Sequence, residues 1–159
     1  SFPLKSPNRR CGYRREVRYD WELLATGVHR CRLPFLDVTV GLVAGRRRVL
    51  LIDSGTTLAE AAGIAADARE LTGHTVTDIV LTHHHFDHVL GSAGFPDAVV
   101  YAAEEVAWVL TEDTAWLRGE AVRYGADEAH VDRHHLPDVC RTNVDVDLAR
   151  IGQRLRSRR

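Results

Sequence analysis

The chain has 159 residues, 45% of them apolar and 27% charged, with a net charge of −1. Such a composition supports one self-sufficient core and excludes global disorder. Apolar runs such as Val49–Ile52 and Ala61–Ala66 are far too short to span a bilayer, and the near-zero charge creates no field that would draw nucleic acid.

Residues 1–20 are rich in Pro, Arg and Asn and read as an extended basic lead-in. Within residues 1–18, Lys5, Arg9, Arg10, Arg14, Arg15 and Arg18 face a single acid, Glu16. Residues 149–159 form a matching basic tail with five arginines and no acid. Between the tails lie 10 of the 21 basic and 21 of the 22 acidic residues. An acidic middle suits cation binding, although solvated surface accounts for most such acids. Gly27–Leu33, Asp37–Val43 and Arg48–Ile52 are β-branched or apolar runs with Pro34 and Gly45 in the gaps, which predicts short strands. Val49-Leu50-Leu51-Ile52 is apolar throughout, the pattern of a strand buried on both faces. It ends at Asp53-Ser54-Gly55.

The period then changes. Thr57-x-x-Glu60 forms a capping box for a helix of about 15 residues. Its apolar stripe is Leu58, Ala61, Ala65 and Ala68, extended by Leu71, and Gly73 ends it. Asp78–Thr82 reads as a second buried strand and Ala98–Tyr101 as a third. Ala103–Leu117 reads as one amphipathic helix, with Glu104 and Glu105 in its positive first turn. Leu136-Pro137-Asp138 looks like a turn, and Asn143–Leu148 like an alternating strand. An antiparallel opening followed by alternating helices and strands predicts an α/β fold, with a sheet layered against helices. Ligands in such folds bind at strand-to-loop junctions, here the one after Leu81. Cys11, Cys31 and Cys140 are far apart and form no CxxC pair, and residues 1–20 lack the apolar run of a signal peptide. Both features predict a reducing, cytoplasmic setting.

The junction after Leu81 carries Thr82-His83-His84-His85-Phe86-Asp87-His88-Val89-Leu90-Gly91. Four of the nine histidines fall within six residues, beside a carboxylate. Imidazole nitrogen and carboxylate oxygen are the usual non-thiolate ligands of zinc and similar ions. In an extended segment His83 and His85 point the same way and can grip one metal together. Asp87 and His88 follow a chain reversal and can grip a second metal close by. Two adjacent metals can clamp the attacking and leaving oxygens of a hydrolysis. His84 by itself reads as a surface or packing residue.

The pattern His83-x-His85-x-Asp87-His88, preceded by Thr82 and followed by Gly91, resembles the signature of the metallo-β-lactamase superfamily. Leu51-Ile52-Asp53-Ser54-Gly55 resembles that family's strand-ending LIDTG segment, and Gly94-Phe95-Pro96-Asp97-Ala98 also resembles family members. The resemblance implies an αββα sandwich, its domain running over residues 21–148, of which this chain holds the first αβ half plus part of the connection. It implies that His83 and His85 bind a first metal and that Asp87 and His88 bind a second. Asp87 would also orient the nucleophile. Asp53 would stand behind the ligands, since a metal-bound imidazole usually needs a carboxylate or carbonyl on its other nitrogen. The implied cofactor is zinc, one or two ions, and the same donors accept iron or manganese. The implied reaction is a metal-bound hydroxide attacking an ester, thioester, lactam or phosphodiester in a small-molecule substrate. Neither nucleic acid nor a membrane is an expected partner.

The chain departs from the family pattern toward its end. The family's third histidine, bridging aspartate and last histidine have no match before Arg159. Two ligands per metal fall short of the three that a catalytic zinc takes. His130, His134, His135, Cys140, Asp145 and Asp147 carry suitable atoms, but none sits in the expected sequence context. Half a sandwich would also leave an apolar sheet face in water. A homodimer would cover it; otherwise the chain is a fragment, or the missing half is not essential. The alternative to a hydrolase is therefore a truncated, non-catalytic partial domain that binds metal weakly and associates through its exposed sheet face.

Overall fold

The computed structural model describes residues 18–131 and the backbone of residues 139–141. Strands β1 (Glu22–Ala25), β2 (Val28–Arg32), β3 (Thr39–Ala44), β4 (Val49–Ile52), β5 (Asp78–Leu81), β6 (Val99–Ala102) and β7 (Val139–Arg141) form one sheet in chain order. β1 to β4 pair antiparallel, because short turns join them. From β4 onward the pairing is parallel, because helical crossovers return the chain to the same end each time.

The strand register sorts the side chains into two faces. Cys31, Val40, Leu42, Val49, Leu51, Ile79, Leu81, Val100 and Ala102 share one face through their paired positions, and all are buried. Val28, Val43, Leu50, Ile52, Val80 and Tyr101 share the other, and all are half-buried. The run Val49–Ile52 is therefore buried on one face rather than two among the described residues. Leu50 and Ile52 face the side that the helices leave open.

Helix α1 (Leu58–Thr72) packs on the covered face. Both halves of the Thr57–Glu60 capping box form, and Gly73 closes the helix in the left-handed conformation at φ 75°. Its buried stripe is Ala61, Ile64, Asp67 and Ala68, whereas Leu58 and Ala65 lie half-buried at the edge. The expected stripe is displaced because Asp67, only 2% exposed, has partners from far upstream. Its carboxylate accepts from the backbone N–H of Arg18 (2.6 Å) and Tyr19 (2.9 Å) and from the Trp21 indole (2.9 Å). Three donors offset the cost of burying the charge.

The single helix expected over Ala103–Leu117 is two helices, α3 (Glu104–Glu112) and α4 (Thr114–Arg123), with a short α2 (Phe86–Val89) preceding them in the chain. Asp113 leaves helical geometry at φ −133° and ψ 34°, and α4 begins at Thr114. The Asp113 side chain makes no capping hydrogen bond to α4, so the break shows as a change of backbone conformation alone. α3 buries Val106, Ala107 and Leu110, and α4 buries Leu117 and Ala121. β7 lies in a segment for which no strand was expected. The expected turn at Leu136–Asp138, the strand at Asn143–Leu148, the basic tail and the lead-in through residue 17 lie outside the described residues. No helix among the described residues is long and apolar enough to cross a membrane.

Candidate metal centre

β4 and β5 run parallel side by side, so both release the chain at the same edge of the sheet. Asp53 follows β4, and Thr82 follows β5. The Asp53 N–H still donates to the Val80 carbonyl at 3.0 Å, and then the backbone turns left-handed at φ 59°. That conformation costs about 1–2 kcal/mol for a residue with a Cβ, and Asp tolerates it better than most. The Asp53 carboxylate, 4% exposed, takes three donors. The Thr82 N–H donates to Oδ1 at 2.8 Å, the Thr82 hydroxyl to Oδ2 at 2.8 Å, and His88 Nδ1 contacts Oδ2 at 2.8 Å.

The loop after Asp53 also grips the backbone of the histidine segment. The Ser54 N–H and hydroxyl both donate to the His88 carbonyl, at 2.9 and 3.0 Å. The Gly91 N–H donates to the Gly55 carbonyl at 2.9 Å. A Cβ on Gly91 would overlap the Ser54 carbonyl oxygen, so the close approach of the two segments requires glycine there. On the other side Phe86 is buried and its ring lies 5.5 Å from that of Tyr124 at the end of α4. α2 is thus held from both sides, which fixes where Asp87 and His88 project.

All five residues expected at the site gather at this edge. His83 Nε2 and His85 Nδ1 face each other at 3.1 Å, with the rings edge to face and 4.6 Å apart. The His83 and His88 rings lie 4.1 Å apart. Asp87 Oδ2 is 3.8 Å from His88 Nε2. Asp53, His83 and His88 each place one ligand-type atom within 4.8 Å of the others. His84 leans on the edge of His85, with ring centres 5.7 Å apart. Thr82 is a further residue of the cluster that sequence reasoning noted only as a flanking position. Its hydroxyl contacts both Asp53 and His83 Nδ1, the latter at 2.9 Å. A hydroxyl residue at a buried strand's end, next to a ligand-type histidine, is the signal that could have drawn notice to it.

The electrostatics act in opposite senses on the two imidazoles. Burial, then the neighbouring His88 and His85, hold His83 below its ordinary value of 6.5, so it is neutral at neutral pH. The Asp53 hydrogen bond holds His88 above 6.5 and keeps a proton on Nδ1. A carboxylate on the far nitrogen of an imidazole is the usual arrangement behind a metal ligand. The donor set also fits in size: adjacent nitrogens around a tetrahedral zinc, with bonds of about 2.0–2.1 Å, lie about 3.3 Å apart. The 3.1 Å spacing of His83 Nε2 and His85 Nδ1 is close to that edge. The side chains of His130, His134, His135, Cys140, Asp145 and Asp147 lie outside the described residues.

Comparison with known proteins agrees with this geometry. A hydroxyacylglutathione hydrolase of Jannaschia sp. (strain CCS1) is 40% identical over 63 residues, covering 37% of this chain and 25% of that protein. A hydroxyacylglutathione hydrolase-like protein of Bos taurus is 36% identical over 86 residues, covering 48% of this chain and 44% of that protein. The chain spans less than half the length of these relatives. A metallo-beta-lactamase from Hirschia baltica shares the fold with a TM-score of 0.53 at 18% identity, over 60% of this chain and 48% of that one. One from Cronobacter sakazakii does so with a TM-score of 0.52 at 22% identity, over 75% and 46%. The family model described as the metallo-beta-lactamase superfamily matches residues 33–151, which include every residue of the cluster. A mixed sheet backed by helices, a histidine–aspartate cluster at its edge and a family match across most of the chain lead to one assignment: the chain belongs to the metallo-beta-lactamase superfamily.

Proposed function

We propose that this chain carries the metal-binding edge of a metal-dependent hydrolase. His83 Nε2 and His85 Nδ1 hold one zinc ion, and Asp87 and His88 Nε2 hold a second. The observation that carries the reading is the pair of nitrogens opposed at 3.1 Å, while the far nitrogens of His83 and His88 are engaged by Thr82 and Asp53. A divalent ion bound there supplies Lewis acidity and lowers the pKa of water. The chain's own residues bind and orient: Asp53 fixes His88, and Asp87 offers a carboxylate oxygen beside His88 that can accept a hydrogen bond from the nucleophile. Iron and manganese suit the same donors. The remaining ligands would come from residues outside those described. Thioester hydrolysis is the reaction to test first, because one relative is named a hydroxyacylglutathione hydrolase and another a hydroxyacylglutathione hydrolase-like protein. A reducing, cytoplasmic setting is part of the proposal, and the free, buried thiol of Cys31 suits it.

The test is metal content per chain after zinc loading and dialysis against metal-free buffer. Wild type should retain one or two ions, and His83→Ala and His85→Ala should lose the first. Cleavage of a 2-hydroxyacyl glutathione thioester should then follow metal content, stopping on chelation and returning on zinc addition. An ester, a lactam and a phosphodiester serve as comparators. No retained metal rejects the reading. The open sheet face, with Val43, Leu50, Ile52 and Val80 half-buried, favours a second reading: a non-catalytic unit that pairs with another copy through that face. Sedimentation at several concentrations would show a mass that rises with concentration, with no metal-dependent turnover.

A further inference from the structure

We propose that Thr82 is a positioning residue that sets the tautomer of His83, with Asp53 acting through it. The inference rests on the metal-binding reading above and deepens it. The Thr82 hydroxyl has one hydrogen and two neighbours, Asp53 Oδ2 at 2.8 Å and His83 Nδ1 at 2.9 Å. Both Asp53 oxygens already act as acceptors, Oδ1 from the Thr82 N–H and Oδ2 from His88 Nδ1. A carboxylate in that state can only accept, so the Thr82 hydrogen goes to Asp53. The hydroxyl oxygen then has only lone pairs to offer His83, and His83 presents Nδ1–H to it.

The consequence falls on the opposite side of the ring. A proton on Nδ1 leaves the lone pair on Nε2, the nitrogen that faces His85 at 3.1 Å. In the reverse tautomer an Nδ1 lone pair would meet an oxygen with no hydrogen to give, and Nε2–H would occupy the metal's side. The Thr82 N–H bond to Asp53 Oδ1 keeps hydroxyl and carboxylate in register. One carboxylate thereby orients two imidazoles, His88 directly and His83 through Thr82. Loss of the Thr82 hydroxyl should disturb one imidazole, and loss of the Asp53 carboxylate both.

The test is the ring 15N spectrum of the metal-free chain, which distinguishes Nδ1–H from Nε2–H at each histidine. Wild type should show Nδ1–H at His83 and at His88. Thr82→Val should release His83 from that tautomer and leave His88 unchanged, and Thr82→Ser should keep the wild-type pattern at both. Nε2–H at His83 in wild type overturns the proposal without need of a variant. A wild-type pattern at His83 in Thr82→Val overturns it too. Zinc affinity, measured against a competing chelator, gives a second readout. Thr82→Val should bind about 10–100-fold more weakly, the usual effect of removing a group behind a metal ligand, and Thr82→Ser should match wild type. Equal affinity in Thr82→Val and wild type also overturns the proposal. If wild type binds no zinc, the metal reading fails, while the spectrum still decides the tautomer.

Discussion

Asp53 and Asp78 mark opposite ends of one pair of parallel strands: Asp78 opens β5, and Asp53 follows β4. Both carboxylates are buried, at 4% and 8% exposure, and both are well supplied with donors. The donors differ in kind. At Asp78 the Arg48 guanidinium donates through Nε at 2.7 Å and through Nη2, and the Thr77 hydroxyl donates at 2.7 Å. A fixed cation closes that end, and the charge is balanced within the chain. At Asp53 the partners are a backbone N–H, a hydroxyl and an imidazole. The second nitrogens point away from that support: His83 Nε2 faces His85 Nδ1 at 3.1 Å, and His88 Nε2 lies 3.8 Å from Asp87 Oδ2. A carboxylate balanced by arginine is finished architecture, whereas one supported through two-sided donors collects lone pairs that call for a cation from outside.

The largest expected effect lies at the histidine edge. Gly91→Ala places a Cβ against the Ser54 carbonyl, backbone against backbone, and should cost about 3 kcal/mol or more in urea unfolding. A cost below about 1 kcal/mol would mean that the two segments are not tightly locked. Asp53→Ala follows. It strips three donors of their acceptor and puts alanine at φ 59°, for a loss of about 2–4 kcal/mol. It should also weaken zinc binding more than Thr82→Val does, since both imidazoles lose their support. Equal zinc affinity in the two variants would leave His88 without need of Asp53.

At the other end, Arg48→Ala should lower Tm by an amount that depends on pH. The Arg48 hydrogen bonds hold Asp78 below its ordinary value of 3.8. A lowered acid pKa contributes stability that is complete above the unfolded value and is lost as pH falls through the folded one. The gap between wild type and Arg48→Ala should therefore be level above about pH 5 and close as pH falls below 3.8. A gap that is unchanged at low pH would remove the ion pair from the account. The smallest effect belongs to a residue at neither end. Trp108 is 56% exposed, and Trp108→Ala should stay within about 0.5 kcal/mol of wild type.

Much of this was legible because its causes are local. The Thr57–Glu60 box and Gly73 bound α1 through residues three or four positions away, and β-branched runs between turn residues mark β2 to β6. The histidine pattern is local as well, which is why His83, His85, Asp87 and His88 could be picked out from spacing. What escaped depends on distant partners. The burial of Asp67 is set by Arg18, Tyr19 and Trp21, more than 45 residues upstream. The hydroxyl of Thr82 takes its meaning from Asp53, 29 residues away and in a left-handed conformation that no periodicity encodes. The break at Asp113 was missed for the opposite reason: the apolar spacing runs on across it, while the backbone turns.

The strictly sequential order of the sheet bears on how the chain is made. Each strand hydrogen-bonds to the one before it, so a nascent chain leaving the ribosome N-terminus first can add every strand to an edge already in place. Among the described strands each finds its partner in the strand made just before it, although the crossovers from β4 to β5 and from β6 to β7 are longer loops to close. The described donor atoms of the candidate metal centre lie between Asp53 and His88, a separation of 35 residues. They exist on the growing chain before α3 and α4 are translated. A cation captured at that stage would bind the folded arrangement in preference to the open chain, and so would steady a half-made protein.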